Sequence, residues 1–242
     1  MEETNCGYTC MAQNPLNLEQ FVTSSQIIDE ADQGIYLWEV NPDSWAADAD
    51  VAKQTAPMKR ARTNVSRISP LASLRCPNGV QSLSWASQSV LVAGCTDHQI
   101  RVFDMERQKV QASVFTNHKV ATTLDCNFAN ESQLVLSGHE DGLVRLFDLR
   151  QAQVKQTKVF ECHDRYISQV KINPQAENVF VTCALDGLLK LWDLRNEQAP
   201  LYVLKRQTGA NDEDAKLFGL GWNGASQILS GGSDSHVSVH SM

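Results

Sequence analysis

The chain has 242 residues, with 21 Lys and Arg against 28 Asp and Glu, a formal net charge of −7. That balance excludes a nucleic-acid binder held by overall basic charge, and no apolar run approaches the ~20 residues that span a bilayer, so no membrane association is expected. A chain of this length buries a large core, roughly 70–75% of the surface its unfolded form exposes.

The start, MEETNCGYTC, has neither the basic nor the apolar region of a secretory signal. Residues 6–74 form the first unit, in which Asp32 is followed six residues later by Trp38, with Ile35 and Leu37 between them. Residues 41–67 show no sustained period and exceed a usual strand connection, which predicts an exposed loop between the third and fourth strands of this unit. The loop carries Lys59, Arg60 and Arg62, with Arg67 and no acid between them. That is a solvated basic stretch in the plain reading and a nuclear-import or RNA-contacting patch in the sharper one.

The second unit, 75–115, repeats the arrangement with Asp97 and Phe103 around Ile100 and Val102. The third, 116–160, has Asp141 and Phe147 around Val144 and Leu146. The fourth, 161–204, has Asp186 and Trp192 around Leu189 and Leu191, and the fifth, 205–242, has Asp234 and His240 around Val237 and Val239. Successive aspartates stand 65, 44, 45 and 48 residues apart. Each clear unit also has an apolar run before the aspartate and a period-two segment after it, which reads as a hairpin. Asp141-Gly142 and Asp186-Gly187 favour the tight turn, because Gly reaches positive φ without a steric cost. Both faces of each sheet are partly apolar, so the sheets must pack on one another. A period in the mid-forties with this ending resembles WD repeats, which predicts an all-β propeller of about five four-stranded blades. The last unit ends on its third strand and residues 1–5 are too short to supply a fourth, so the ring is expected to be incomplete or open.

In WD repeats a histidine from the preceding connection, a hydroxyl, the turn aspartate and the tryptophan form a hydrogen-bonded relay. The resemblance places it in full only on His163, Thr182, Asp186 and Trp192. Asp97, Asp141 and Asp234 hold the turn position in the degraded units, and His118 stands as far from Asp141 as His163 does from Asp186. A hydroxyl, a histidine and an aspartate also suggest a nucleophilic triad, yet the same places recur in neighbouring units, whereas a triad should occur once. No catalytic residue is therefore expected. Seven cysteines without a two-residue spacing read as free thiols in a reducing compartment. Cys6 and Cys10 lack further ligands nearby, so neither a metal nor a cofactor is expected.

Five segments carry a closer resemblance: PMKRAR, TDHQIRVFDMER, NHKVATTLD leading into GHEDGLVRLFDLR, CHDRYISQVKINP leading into LDGLLKLWDLRNEQAPLYVL, and LFGLGWNGASQILSGGSDSHVSV. In order and spacing they resemble the last blades of the WD-repeat subunits of the pescadillo and block-of-proliferation (PeBoW) complex. The resemblance implies a non-catalytic scaffold in large ribosomal subunit biogenesis, acting in rRNA processing within the nucleus, nucleolus and nucleoplasm. Its implied partners are block-of-proliferation and pescadillo-like subunits and pre-ribosomal particles. That family also has an N-terminal ubiquitin-like domain and seven blades, neither of which this sequence displays. Propeller partners meet the loops beside the turn aspartates, which selects Glu140, Leu185, Asp164, Arg165 and Tyr166, with Lys119 as an outlier. Tyr166 is the expected anchor. A second reading rests on the endings Phe147-Asp148-Leu149-Arg150 and Trp192-Asp193-Leu194-Arg195. These resemble the adaptor-binding box of substrate receptors of cullin-type ubiquitin ligases.

Overall fold

Short alternating segments separated by acidic turns can satisfy their backbone groups only by pairing with one another, and that pairing organises the molecule. The computed structural model describes residues 8–25, 34–39, 70–76, 78–116, 119–127, 133–151, 153–206 and 215–241. All regular elements among them are strands, arranged as five antiparallel sheets taken in chain order. The first sheet holds β1 (Tyr8–Gln13), β2 (Gln20–Ser25), β3 (Gly34–Glu39) and β4 (Ala72–Arg75). The second holds β5 (Val80–Trp85), β6 (Val90–Cys95), β7 (Gln99–Asp104) and β8 (Lys109–Phe115). The third consists of β9 (Ala121–Cys126), β10 (Leu134–His139), β11 (Leu143–Asp148) and β12 (Gln156–Glu161). The fourth consists of β13 (Ile167–Ile172), β14 (Val179–Ala184), β15 (Leu188–Asp193) and β16 (Tyr202–Lys205). The fifth has three strands among the described residues, β17 (Leu217–Asn223), β18 (Gln227–Gly232) and β19 (Val237–Ser241). Strands β3 and β4 pair. The predicted loop 41–67 with Lys59, Arg60 and Arg62 lies outside the described residues, as do Asp32 and His118.

The first strands β1, β5, β9, β13 and β17 touch in succession, so each sheet radiates outward from a shared centre. Side chains bolt these inner strands to the next backbone. The Ser82 hydroxyl donates to the Ala121 carbonyl (3.3 Å), that of Thr122 to the Ile167 carbonyl (2.6 Å), and the Leu220 amide to Gln169 Oε1 (2.5 Å). Strand β17 makes no comparable packing with β1 among the described residues, which leaves an open stack of the predicted all-β, propeller-like kind.

The alternation on each third strand explains why one sheet covers the next. Ile100 and Val102 pack forward with Ala121, Leu124 and Val135 of the third sheet. Leu189 and Leu191 pack forward with Leu217, Leu220 and Ile228 of the fifth. The ring at the sixth position packs backward: Phe103 lies with Val22, Ile35 and Leu74 of the first sheet, and Trp192 with Leu136, Val144 and Phe160 of the third. Such rings are nearly inaccessible, at 1% for Phe103 and Phe147 and 2% for Trp192, and each contributes roughly 1.5–3 kcal/mol by burial. In the fifth sheet the forward positions Val237 and Val239 have no following sheet over them among the described residues and are exposed.

Candidate functional site

The geometry begins at the turn aspartates. Asp141 Oδ1 accepts the Leu143 amide (3.2 Å), Asp186 Oδ1 the Leu188 amide (2.9 Å) and Asp234 Oδ1 the His236 amide (3.2 Å). The carboxylate thus closes a turn whose next residue has positive φ in all four clear units, at His98, Gly142, Gly187 and Ser235. This local chemistry presents the other carboxylate oxygen to whatever the preceding connection supplies.

In the fourth sheet that partner is His163, two residues past the end of β12. Its Nδ1 is 2.7 Å from Asp186 Oδ2 and its Nε2 is 2.8 Å from Thr182 Oγ1. The network assigns the proton to Nδ1, which donates to Asp186, while Nε2 accepts from the Thr182 hydroxyl. The imidazole and Thr182 are fully buried, which places the hydroxyl out of a substrate's reach. Burial works to raise the Asp186 carboxyl, but the hydrogen bonds from His163 and the Leu188 amide outweigh it and hold it below the usual range.

The last member of the expected relay is not joined to it. Trp192 Nε1 is buried with no hydrogen-bond partner, and the indole instead stacks on Phe180 (6.3 Å between centroids) and meets Phe160 edge-on (6.2 Å). The residue therefore acts here through its apolar area. The hydroxyl proton of Thr182 has two acceptors in range, His163 and the Lys190 carbonyl at 3.4 Å.

The second, third and fifth units solve the same electrostatic problem with arginine. Arg101 and Arg145, four residues past the turn, reach back to Asp97 and Asp141. In the fifth sheet Arg206, from the connection after β16, pairs with Asp234 and donates to the Ser230 carbonyl (3.1 Å). Ser137 bonds His139 on its own strand (2.7 Å), and burial, aided by the Arg145 charge, lowers the His139 imidazole to about 4. None of these three arginines is singled out by the sequence pattern of the turns. The available signal was an arginine four residues past the turn aspartate in two units.

Burial pushes the Asp141 carboxyl up, while Arg145 and the Leu143 amide pull it below its usual value. A depressed carboxyl contributes stability that is present above its unfolded value, about 3.9, and is lost as pH falls through the folded one. Arg145→Met should therefore lower stability at pH 7 by about 2–4 kcal/mol, because a half-buried carboxylate loses its partner. It should also flatten the acid limb of the pH dependence, as read from urea midpoints between pH 7 and 3.

These supports position a rim of exposed groups. The His163 amide donates to the Gly142 carbonyl (3.0 Å) and the Leu185 amide to the Tyr166 carbonyl (3.1 Å), which clamps residues 163–166 between the turns of the third and fourth sheets. Asp164, Arg165, Tyr166 and Glu140 are exposed there, and Leu185 is half-buried beside them. Burial and the Glu140 charge raise the Tyr166 phenol, and the residue is 41% exposed. The structure thus gathers five of the six residues selected as docking candidates. Lys119 stands one connection earlier, half-buried and tied to Thr116. Among the described residues no group of three or more His, Cys, Asp and Glu could hold a metal ion.

Residues 68–104, 109–148 and 154–193 match the family model described as WD domain, G-beta repeat. A protein called Ribosome biogenesis protein WDR12 homolog, from Drosophila pseudoobscura pseudoobscura, is 26% identical over 203 residues, covering 84% of this chain and 46% of the relative. A protein of the same name from Drosophila willistoni is 28% identical over 198 residues, covering 80% and 44%. The chain spans slightly less than half the length of these curated relatives.

Proposed function

We propose that the chain is a WD-repeat protein that serves as a non-catalytic docking scaffold in large ribosomal subunit biogenesis. The observation that carries this reading is the similarity, over four fifths of the chain, to relatives named for ribosome biogenesis. The exposed rim at Glu140, residues 164–166 and Leu185 is where a partner would seat. An aromatic anchor flanked by charges, on loops held by buried hydrogen bonds, offers contact area at low entropic cost. The proposed partners are block-of-proliferation and pescadillo-like subunits on pre-ribosomal particles, in the nucleolus and nucleoplasm. RNA contact, where made, would fall to Lys59, Arg60 and Arg62.

The test is affinity capture of the tagged chain expressed at its native level, with mass spectrometry and quantification of precursor rRNA. Large-subunit precursors and assembly factors should be enriched over a tag-only control. Tyr166→Ala should cut that enrichment by roughly tenfold, the effect of losing one anchor, with the unfolding midpoint unchanged. A cullin adaptor in place of these factors, lost on Arg195→Ala, would reject the proposal in favour of the receptor reading. In the structure Arg195 and Arg150 fold back onto Asp193 (2.6 Å) and Asp148 (2.7 Å), and the named relatives favour the scaffold.

A further inference from the structure

The second sheet has neither member of the hydroxyl and histidine pair. Ala93 stands at the hydroxyl position, and the connection leading into β5 supplies Cys76 where the fourth sheet receives His163. Cys95, two residues before Asp97, closes the space from the other side. The two Sγ atoms are 3.4 Å apart, and both residues are wholly buried. Their backbones are held in place on either side, since Cys95 pairs with Val80 and the Thr96 amide donates to the Gly79 carbonyl (2.8 Å). Asn78 donates to Asp97 Oδ2 (2.8 Å). The Arg101 guanidinium, clamped on Asp97, points Nη1 at Cys76 Sγ from 3.9 Å.

This surrounding sets Cys76 apart from the other buried thiols. The hydrogen bond with Cys95 lowers it, aided by the Asn78 amide and the Arg101 charge, whereas burial raises Cys126, Cys162 and Cys183. A thiolate-prone sulfur beside a second sulfur is the arrangement that oxidation resolves into a disulfide. Closing the bond requires an approach of about 1.4 Å, to the usual ~2.05 Å separation.

We propose that Cys76 and Cys95 are an oxidation site, at which a two-electron oxidant such as hydrogen peroxide forms a disulfide stapling the end of the first sheet to β6. The Cys76 thiolate attacks one peroxide oxygen. The O–O bond breaks, the departing hydroxide takes up the proton that Cys76 released, and a sulfenic acid remains. The Cys95 sulfur then displaces the sulfenic hydroxyl, which leaves as a second water carrying the Cys95 proton. Two thiols lose two electrons and peroxide gains them. Because Cys76 follows β4 directly and Cys95 pairs with Val80 of β5, the bond would fix the end of the first sheet to the inner strands of the second.

The experiment treats the full chain with a few equivalents of hydrogen peroxide, alkylates it in denaturant and maps its peptides. No Lys or Arg lies between Arg75 and Arg101, so both cysteines fall in one tryptic peptide. The expected product is that peptide unalkylated and two hydrogens lighter, whose halves, after further cleavage at Trp85, stay joined until reduced. Cys126, Cys162 and Cys183 should be recovered alkylated. Proteolysis between β4 and β5 should slow by roughly tenfold in the oxidised chain, because the closed loop restrains the opened state. In Cys95→Ala, Cys76 should halt at the sulfenic acid and be trapped by dimedone. The wild-type map decides the matter even where that variant folds poorly. Recovery of Cys76 as sulfinic or sulfonic acid with Cys95 still alkylatable would overturn the proposal. So would both thiols intact at peroxide levels that oxidise the other cysteines.

Discussion

Gly142→Ala is expected to destabilise the protein by more than about 4 kcal/mol, beyond the range of ordinary single substitutions. Two separate effects meet at this residue. Its φ is +82°, in the left-handed region that an L side chain enters at a cost of about 1–2 kcal/mol. A Cβ there would also lie 1.9 Å from the His163 carbonyl oxygen and 2.7 Å from its carbon. The obstacle is backbone, so no rotamer change relieves it, and the connection carrying residues 163–166 must move away. That movement breaks the bond from the His163 amide and disturbs the clamp on Tyr166. Gly224→Ala separates the two effects, since Gly224 has φ +67° with nothing within 4 Å of an added Cβ, and it should cost only about 1–2 kcal/mol. Urea unfolding of both variants gives the difference, and amide exchange at His163 and Leu185 locates it. Equal losses in the two variants would mean that the third and fourth sheets do not depend on this close approach. Capture of the proposed partners should fall with Gly142→Ala and stay unchanged with Gly224→Ala.

The contrast between these glycines also marks how far the sequence could be read. Asp141-Gly142 announces a tight turn, because turn chemistry is local and repeats in each unit. The same holds for the forward positions Ile100/Val102 and Leu189/Leu191 and for the backward rings Phe103, Phe147 and Trp192, since a period of two assigns faces without knowledge of what covers them. The approach of Gly142 to the His163 carbonyl is different, because it joins atoms of two sheets whose distance no local pattern encodes. The same limit applies to the electrostatic partners. Arg206 and Asp234 are 28 residues apart, and Cys76 and Cys95 are 19 apart. They meet only because the connections bend inward over the next turn. Trp192 shows the limit in the opposite direction. Position alone suggests a hydrogen-bonded indole, whereas the rings of Phe160 and Phe180 set its plane. That the docking candidates lie near the turns follows from local position, since Glu140 and Leu185 precede turn aspartates and residues 164–166 follow His163. The basis for their shared rim, the clamp of residues 163–166 between two turns, does not.

His163→Ala should cost about 3 kcal/mol, because it removes one group and strands two. Asp186 loses the donor to Oδ2 in a site only 14% exposed, and the buried Thr182 hydroxyl loses its acceptor. Thr182→Val keeps the shape and removes the hydroxyl, so alone it should cost about 1–2 kcal/mol. The two should not add. Once the imidazole is gone the hydroxyl has little left to lose, and the double variant should fall short of the sum by at least about 1 kcal/mol. The pH dependence gives a second reading of the same bond. The Asp186 carboxyl is held below its usual value, so its contribution is complete above the unfolded value of about 3.9 and disappears as pH falls through the folded one. His163→Ala should therefore weaken the protein most at neutral pH and leave a shallower loss on acidification. A general base would behave differently, since substituting it abolishes turnover while the unfolding midpoint stays near that of the parent chain. Measured midpoints that hold, with no coupling to Thr182, would remove the structural role assigned to His163. They would also reopen the hydroxyl, histidine and aspartate as chemistry.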